Sequence, residues 1–139
     1  FHLLDDTLQA VLELALHART SLERDGALAE IGFRLSLEPV WPSRIEHEIH
    51  AIEARADRTL RFADVASLKP LGVEIDRYES FDYAATQAIA AAAHFLEFDG
   101  LVVPSARAPC ANLVAFMDRV SLSLTHSEAV DWQAWRSRR

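Results

Sequence analysis

Residues 98–116, Phe-Asp-Gly-Leu-Val-Val-Pro-Ser-Ala-Arg-Ala-Pro-Cys-Ala-Asn-Leu-Val-Ala-Phe, place a polar loop between two apolar runs, and this stretch constrains the fold more than any other. Leu101 to Val103 is short and apolar, and Asp99-Gly100 supplies a turn before it, so the run reads as a buried strand. Pro104 has no N–H to give to a ladder. The strand is therefore predicted to stop there, with Ser105 and Arg107 just past its end. Beyond Pro109 the chain resumes as Leu113-Val114-Ala115-Phe116, a second buried run. A loop tied down at both ends, presenting a hydroxyl, a guanidinium and the Asn112 amide, is a usable binding element.

The rest of the chain supplies helices and further strands. Leu8, Val11, Leu12, Ala15 and Leu16 follow a helical period, predicting an amphipathic helix over Thr7 to Ala18 capped by Asp6 or Thr7. A second helix is predicted from near Asp25 through Leu28, Ile31 and Leu35, with Glu30 inside it. Pro39 and Pro42 mark a loop around Trp41. Arg44 to Ala54 fits both periods and is read as a strand, and Arg58 to Phe62 as a short strand. Ala63 to Leu68 reads as a short helix closed by Pro70 and Gly72, and Asp76 to Ser80 as a loop. Phe81 to Phe98 is a helix capped by Asp82, whose Ala84, Ala85, Ile89, Ala92, Ala93 and Leu96 form a small-residue stripe suited to packing on a sheet. Val120 to Leu124 alternates as a strand, and Val130 to Arg136 reads as a terminal turn of helix.

With 139 residues, half of them hydrophobic, the chain can bury about two thirds of its unfolded surface in one core. No internal linker or repeat divides it. Fourteen basic against 21 acidic residues give a formal charge of −7, which disfavours nucleic acid as a partner. A small anionic ligand held by two or three arginines is compatible with that charge. Cys110 is the sole cysteine, so no internal disulfide can form. No apolar run approaches the roughly 20 residues that span a bilayer, and Asp5-Asp6 interrupts any signal-peptide pattern. The expected compartment is the cytoplasm.

Asp25-Gly-Ala-Leu-Ala-Glu-Ile31, Tyr83-Ala-Ala-Thr-Gln-Ala-Ile89 and Asp99 through Phe116 together resemble the RES domain, a bacterial toxin family named for its Arg, Glu and Ser. The likeness runs from about Thr20 to Asp118, and Val103-Pro-Ser-Ala-Arg107 followed by Asn112-Leu-Val114 carries most of it. The resemblance implies an α/β (α+β) fold related to ADP-ribosyltransferases, with compact mixed or antiparallel sheets and packed helices. It implies cleavage of NAD at its nicotinamide–ribose bond, by phosphorolysis or hydrolysis. It also implies neutralisation by a helical cognate antitoxin, and leaves a homo-oligomer open. NAD is then substrate, and no cofactor is expected.

Residue by residue, the family glutamate falls on Glu30 and the family serine on Ser105. The family arginine precedes an aromatic residue near the start of the domain, so Phe1 implies that it lies upstream. Residues 1–139 are accordingly read as one RES-like domain, N-terminally truncated and divergent before about residue 20. Eleven residues before the glutamate the family tends to have a tyrosine, and here that position is Arg19. These two departures support an alternative, an inactive or truncated homologue that acts only as a protein-binding module. A third reading, a binding domain of unrelated helical type, predicts Ser105 far from Glu30.

The chemistry has its own logic. Departure of nicotinamide leaves an oxocarbenium-like ribose, which a nearby carboxylate stabilises, and Glu30 is the candidate. Nicotinamide leaves neutral from a cation, so no strong general acid is required. Ser105 would hydrogen-bond a phosphate or the carboxamide, Arg107 and Arg34 the pyrophosphate, and Tyr83 a ring by stacking; Asn112 either contacts the ligand or pins the loop. Arg19 joins the binding set by position. The family reading places Glu30 and Ser105 on the rim of one cleft shaped for a dinucleotide. Against these stand plainer roles: a solvated helix face for Glu30, a turn for Ser105, a surface ion pair for Arg107 and core packing for Tyr83. His47 and His50 have no completing His or Cys pair, so no metal site is predicted. Cys110 reads as a free thiol, and Trp132 and Trp135 as packing or partner contacts.

Overall fold

A computed structural model describes residues 17–39, 46–78 and 84–138, with side chains from Thr20 onward. Strand β1 (His17–Ser21) leads into helix α1 (Arg24–Ser36), and β2 (Glu48–Arg55) and β3 (Thr59–Arg61) follow. A 3-10 helix (Val65–Leu71), α2 (Ile75–Tyr78) and α3 (Ala84–Phe95) precede β4 (Gly100–Pro104), β5 (Ala111–Phe116), β6 (Ser121–Ala129) and α4 (Trp132–Ser137). Among the described residues the strands form a four-stranded sheet, β1-β5-β4-β3, and a β2-β6 ribbon. All pairs are antiparallel except β3 with β4.

The two runs around the polar loop become β4 and β5, paired from Gly100↔Ala115 to Pro104↔Ala111. Because these strands are central, both faces of β4 are covered and Leu101, Val102 and Val103 are all buried. On one face Leu101 and Val103 pack with Phe116 and with Ala93 and Ile89 of α3. On the other, Val102, Leu113 and Ala115 meet Ala54 and Leu122 of the ribbon. Each such fully buried aliphatic or aromatic side chain contributes about 1.5–3 kcal/mol. A third cluster joins Ala27, Leu28 and Leu35 of α1 to Ile49 of β2 and Trp132 of α4. Trp132 and Trp135 thus pack inside the chain: at Gly32 an added Cβ would lie 2.5 Å from Trp135, so α4 sits directly on the α1 backbone.

Four expectations are corrected. His17 and Ala18, predicted as the end of a helix, lie in β1, where pairing with Phe116 and Ala115 outweighs local helix preference. The remainder of that predicted helix lies outside the described residues. Residues 76–78 of the loop read over Asp76 to Ser80 belong to α2 (Ile75–Tyr78). Pro70 falls within the 3-10 helix instead of closing it, and Gly72 ends the helix in the left-handed region at φ 85°. The α3 stripe is only partly right: Ile89, Ala90 and Ala93 pack on the sheet, while Ala84, Ala92 and Leu96 are exposed.

Candidate functional site

Helix α1 is set against the polar loop by its first turns. The Ser21 hydroxyl, buried at the end of β1, accepts from Glu23 N at 3.3 Å and lies 3.6 Å from the Cys110 thiol. Gly26 follows in the first turn, where a Cβ would come within 2.3 Å of Cys110 Sγ and 2.4 Å of Ser21 Oγ. The loop and the helix therefore meet at backbone distance. One turn further along α1, Glu30 faces the same loop.

Ser105 is held from several sides. Its N–H donates to the Cys110 carbonyl at 2.9 Å, closing a six-residue loop over 105–110. Its hydroxyl accepts from Arg107 N at 3.1 Å and donates to Glu30 Oε1 at 2.6 Å. Asn112, cross-strand from both Ser21 and Val103, donates its amide to the same oxygen at 3.1 Å. Two donors on Oε1 hold the carboxylate rotamer, and among the described residues Oε2 receives no hydrogen bond. The arrangement is a half-buried, oriented carboxylate, suited to facing positive charge that develops on a ligand.

The other candidates fall around this pair. Arg107 lays its guanidinium 3.6 Å from the centre of the Phe33 ring, one turn beyond Glu30 on α1. Arg34, half-buried, is four residues after Glu30 and so on the same side of the helix. Asn112 is 2% exposed and its amide bonds Glu30, an arrangement compatible with the pinning role of the two considered. Arg19 pairs with Val114 in β1, and its side chain is outside the described set, as is the whole of Tyr83. Phe33 was not anticipated; its spacing of three from Glu30 is the signal that would have found it. One cavity of about 140 Å³ lies between the α2 region and the start of α3, and another of about 250 Å³ between β1 and β2. Neither includes Glu30 or Ser105 in its walls.

The histidines have other partners. His47 accepts from the Trp132 indole at 3.1 Å, and His50 bonds Ser127 at 2.8 Å. Among the described residues no three His, Cys, Asp or Glu gather as a metal site, and no helix is long and apolar enough to cross a membrane. At the start of α1, Arg24 pairs with Glu128 of β6, and this hydrogen bond holds the Glu128 carboxyl below its ordinary range.

The meeting of Glu30 with Ser105, 75 residues away, excludes the reading in which the two are distant. The RES domain family model matches residues 10–136. This chain belongs to the RES family. Among curated proteins none matches it. One chain in the crystal structure of the M. tuberculosis MbcT–MbcA toxin–antitoxin complex is similar to this RES protein in fold, with TM-score 0.71 and 19% identity. The superposition covers 90% of this chain and 72% of that one. At that identity the likeness establishes the mixed α/β fold of the RES domain and nothing finer.

Proposed function

We propose that this RES protein consumes NAD, cleaving the bond between nicotinamide and ribose, and is the toxin of a toxin–antitoxin pair. The observation that carries the proposal is the 2.6 Å hydrogen bond from Ser105 to Glu30, in a chain whose family match spans both residues. Nicotinamide departs with the bonding electron pair and becomes neutral, while the ribose C1 takes on oxocarbenium character that the Glu30 carboxylate stabilises. Phosphate or water then bonds to C1, giving ADP-ribose 1″-phosphate or ADP-ribose with loss of a proton. Arg107 and Arg34 bind the pyrophosphate, with Arg19 and Tyr83 completing the binding set. Ser105 keeps the carboxylate aimed and is released to the ligand on binding. The similarity in fold to a chain of a toxin–antitoxin complex supports a protein antitoxin as the partner. NAD and its turnover place the action in the cytoplasm.

The test is incubation of the full-length protein with NAD, with and without phosphate, and identification of the products by mass spectrometry. Release of nicotinamide that is lost in Glu30→Gln is the expected result. Intact NAD with folded wild-type protein would sink the proposal and favour the protein-binding homologue, to which Arg19 at the family's tyrosine position already points.

A further inference from the structure

Tyr78, the last residue of α2, donates its hydroxyl to the Pro104 carbonyl. The sheet explains why that carbonyl takes a side-chain donor. Two residues earlier on the same edge of β4, the Val102 carbonyl accepts from Phe62 N at 2.8 Å, the last rung beside β3. Strand β3 ends at Arg61, so the Pro104 carbonyl projects from that edge beyond the end of the neighbouring strand. The Tyr78 hydroxyl continues the ladder in its place. On the opposite edge the next residue, Ser105, gives its N–H to Cys110 O at 2.9 Å. The peptide joining Pro104 to Ser105 is thereby held on both sides.

We infer that Tyr78 is a positioning residue for Ser105, fixing the strand end so that the serine hydroxyl meets Glu30. The inference rests on the reading of that pair as an NAD-cleaving site. Tyr78 acts through the carbonyl of Pro104, the residue whose peptide bond leads into Ser105. Its ring is half-buried against the cavity lined by Val73, Arg77 and Ala85, so removal of the hydroxyl alone leaves the packing in place. Specificity of effect follows from connectivity: only Ser105 is both one peptide bond from the anchored Pro104 and one hydrogen bond from the carboxylate, and Arg107 N is bonded to its hydroxyl. A general loosening of the fold would spread further.

The experiment compares wild type, Tyr78→Phe, Ser105→Ala and the double variant by amide hydrogen exchange and by NAD turnover. Tyr78→Phe is expected to speed exchange at Ser105 and Arg107 about ten-fold, with Leu113 and Ala115 unchanged. It should lower kcat about ten-fold with KM for NAD near wild type. In the Ser105→Ala background the same change should add less than about two-fold, because the residue it positions is gone. Unaltered exchange at Ser105 and Arg107 would overturn the inference, as would an equal loss of kcat in both backgrounds. Should wild type leave NAD intact, the functional reading fails separately, and the exchange measurement alone decides whether Tyr78 anchors the loop.

Discussion

Asn112 and Ser105 donate to one and the same oxygen of Glu30, at 3.1 and 2.6 Å, although they stand on opposite sides of the β4–β5 loop. The hairpin thus closes on a single acceptor carried by a helix. An amide buried in a central strand is costly unless bonded; here its NH2 bonds a carboxylate, while among the described residues its Oδ1 has no hydrogen-bond partner. Asn112→Ala should destabilise the protein by about 1–3 kcal/mol, read by urea unfolding. Asn112→Asp sets a second carboxylate beside the first, so one of the two resists ionisation. That variant should be weakest at neutral pH and recover as pH falls toward about 5; equal stability at both would contradict the pairing.

Gly26 presses on Cys110 and Ser21 at distances that no real Cβ tolerates. Alanine there gains about 1 kcal/mol of helix propensity yet forces α1 away from the loop, costing about 1–3 kcal/mol as overpacking. Net destabilisation is expected in Gly26→Ala, together with lower NAD turnover because Glu30 moves with the helix. Cys110→Ala in the same chain should restore part of the loss, since one of the two colliding atoms is removed. A fully stable Gly26→Ala would show that helix and loop are less closely docked.

The Arg107 guanidinium stacks on Phe33, which fixes the plane of its donors. Lysine keeps the charge but neither stacks flat nor bonds a pyrophosphate in bidentate fashion. Arg107→Lys is expected to weaken NAD affinity about ten-fold, and Phe33→Leu to weaken it less, with melting temperatures near wild type. Isothermal titration checks both; unchanged affinity in Arg107→Lys would remove Arg107 from the site.

Away from the site, the turn after β5 is stitched to the end of α3. Arg119 donates to the carbonyls of His94, in the last turn of α3, and of Phe98, in the connection to β4, at 2.6 and 2.8 Å. Asp118 bonds His94 at 2.9 Å. That hydrogen bond, helped by the charges of His94 and Arg119 and opposed by burial, holds the Asp118 carboxyl below its ordinary range. A depressed carboxyl stabilises the fold above its unfolded pKa, and the contribution is lost as pH falls through the lower folded value, beneath the ordinary carboxylate range. Asp118→Asn should therefore flatten the acid side of the stability profile while changing the site little. An acid limb as steep as wild type would assign that pH dependence elsewhere.

Local signals were enough for β4, β5 and α1. β4 does end at Pro104, although the N–H that Pro104 lacks would face the edge beyond β3 and the pairing with β5 runs on to the Ser105 N–H; the 3.6-residue period from Ala27 to Leu35 outlined the helix. The phase of α3 was not legible: alanines on every side leave no polar face to say which of them packs, and Leu101 and Phe116 chose Ile89, Ala90 and Ala93. His17 and Ala18 were misread because a helical pattern extends into them, and only the distant partner strand draws them into a ladder. Phe33 was passed over because it reads as ordinary apolar content until Arg107 lies across it.

By itself the sequence determined which residues could bear chemistry and what local structure carries them, since chain chemistry and periodicity act over a few residues. The tertiary structure alone decided that Glu30 would be met by Ser105 and Asn112, that Arg107 would cross to Phe33, and that Pro104 would be held by Tyr78. Such meetings span 26 to 82 residues and depend on strand order and helix docking. No local pattern encodes them, because they follow from burial of both faces of one central sheet.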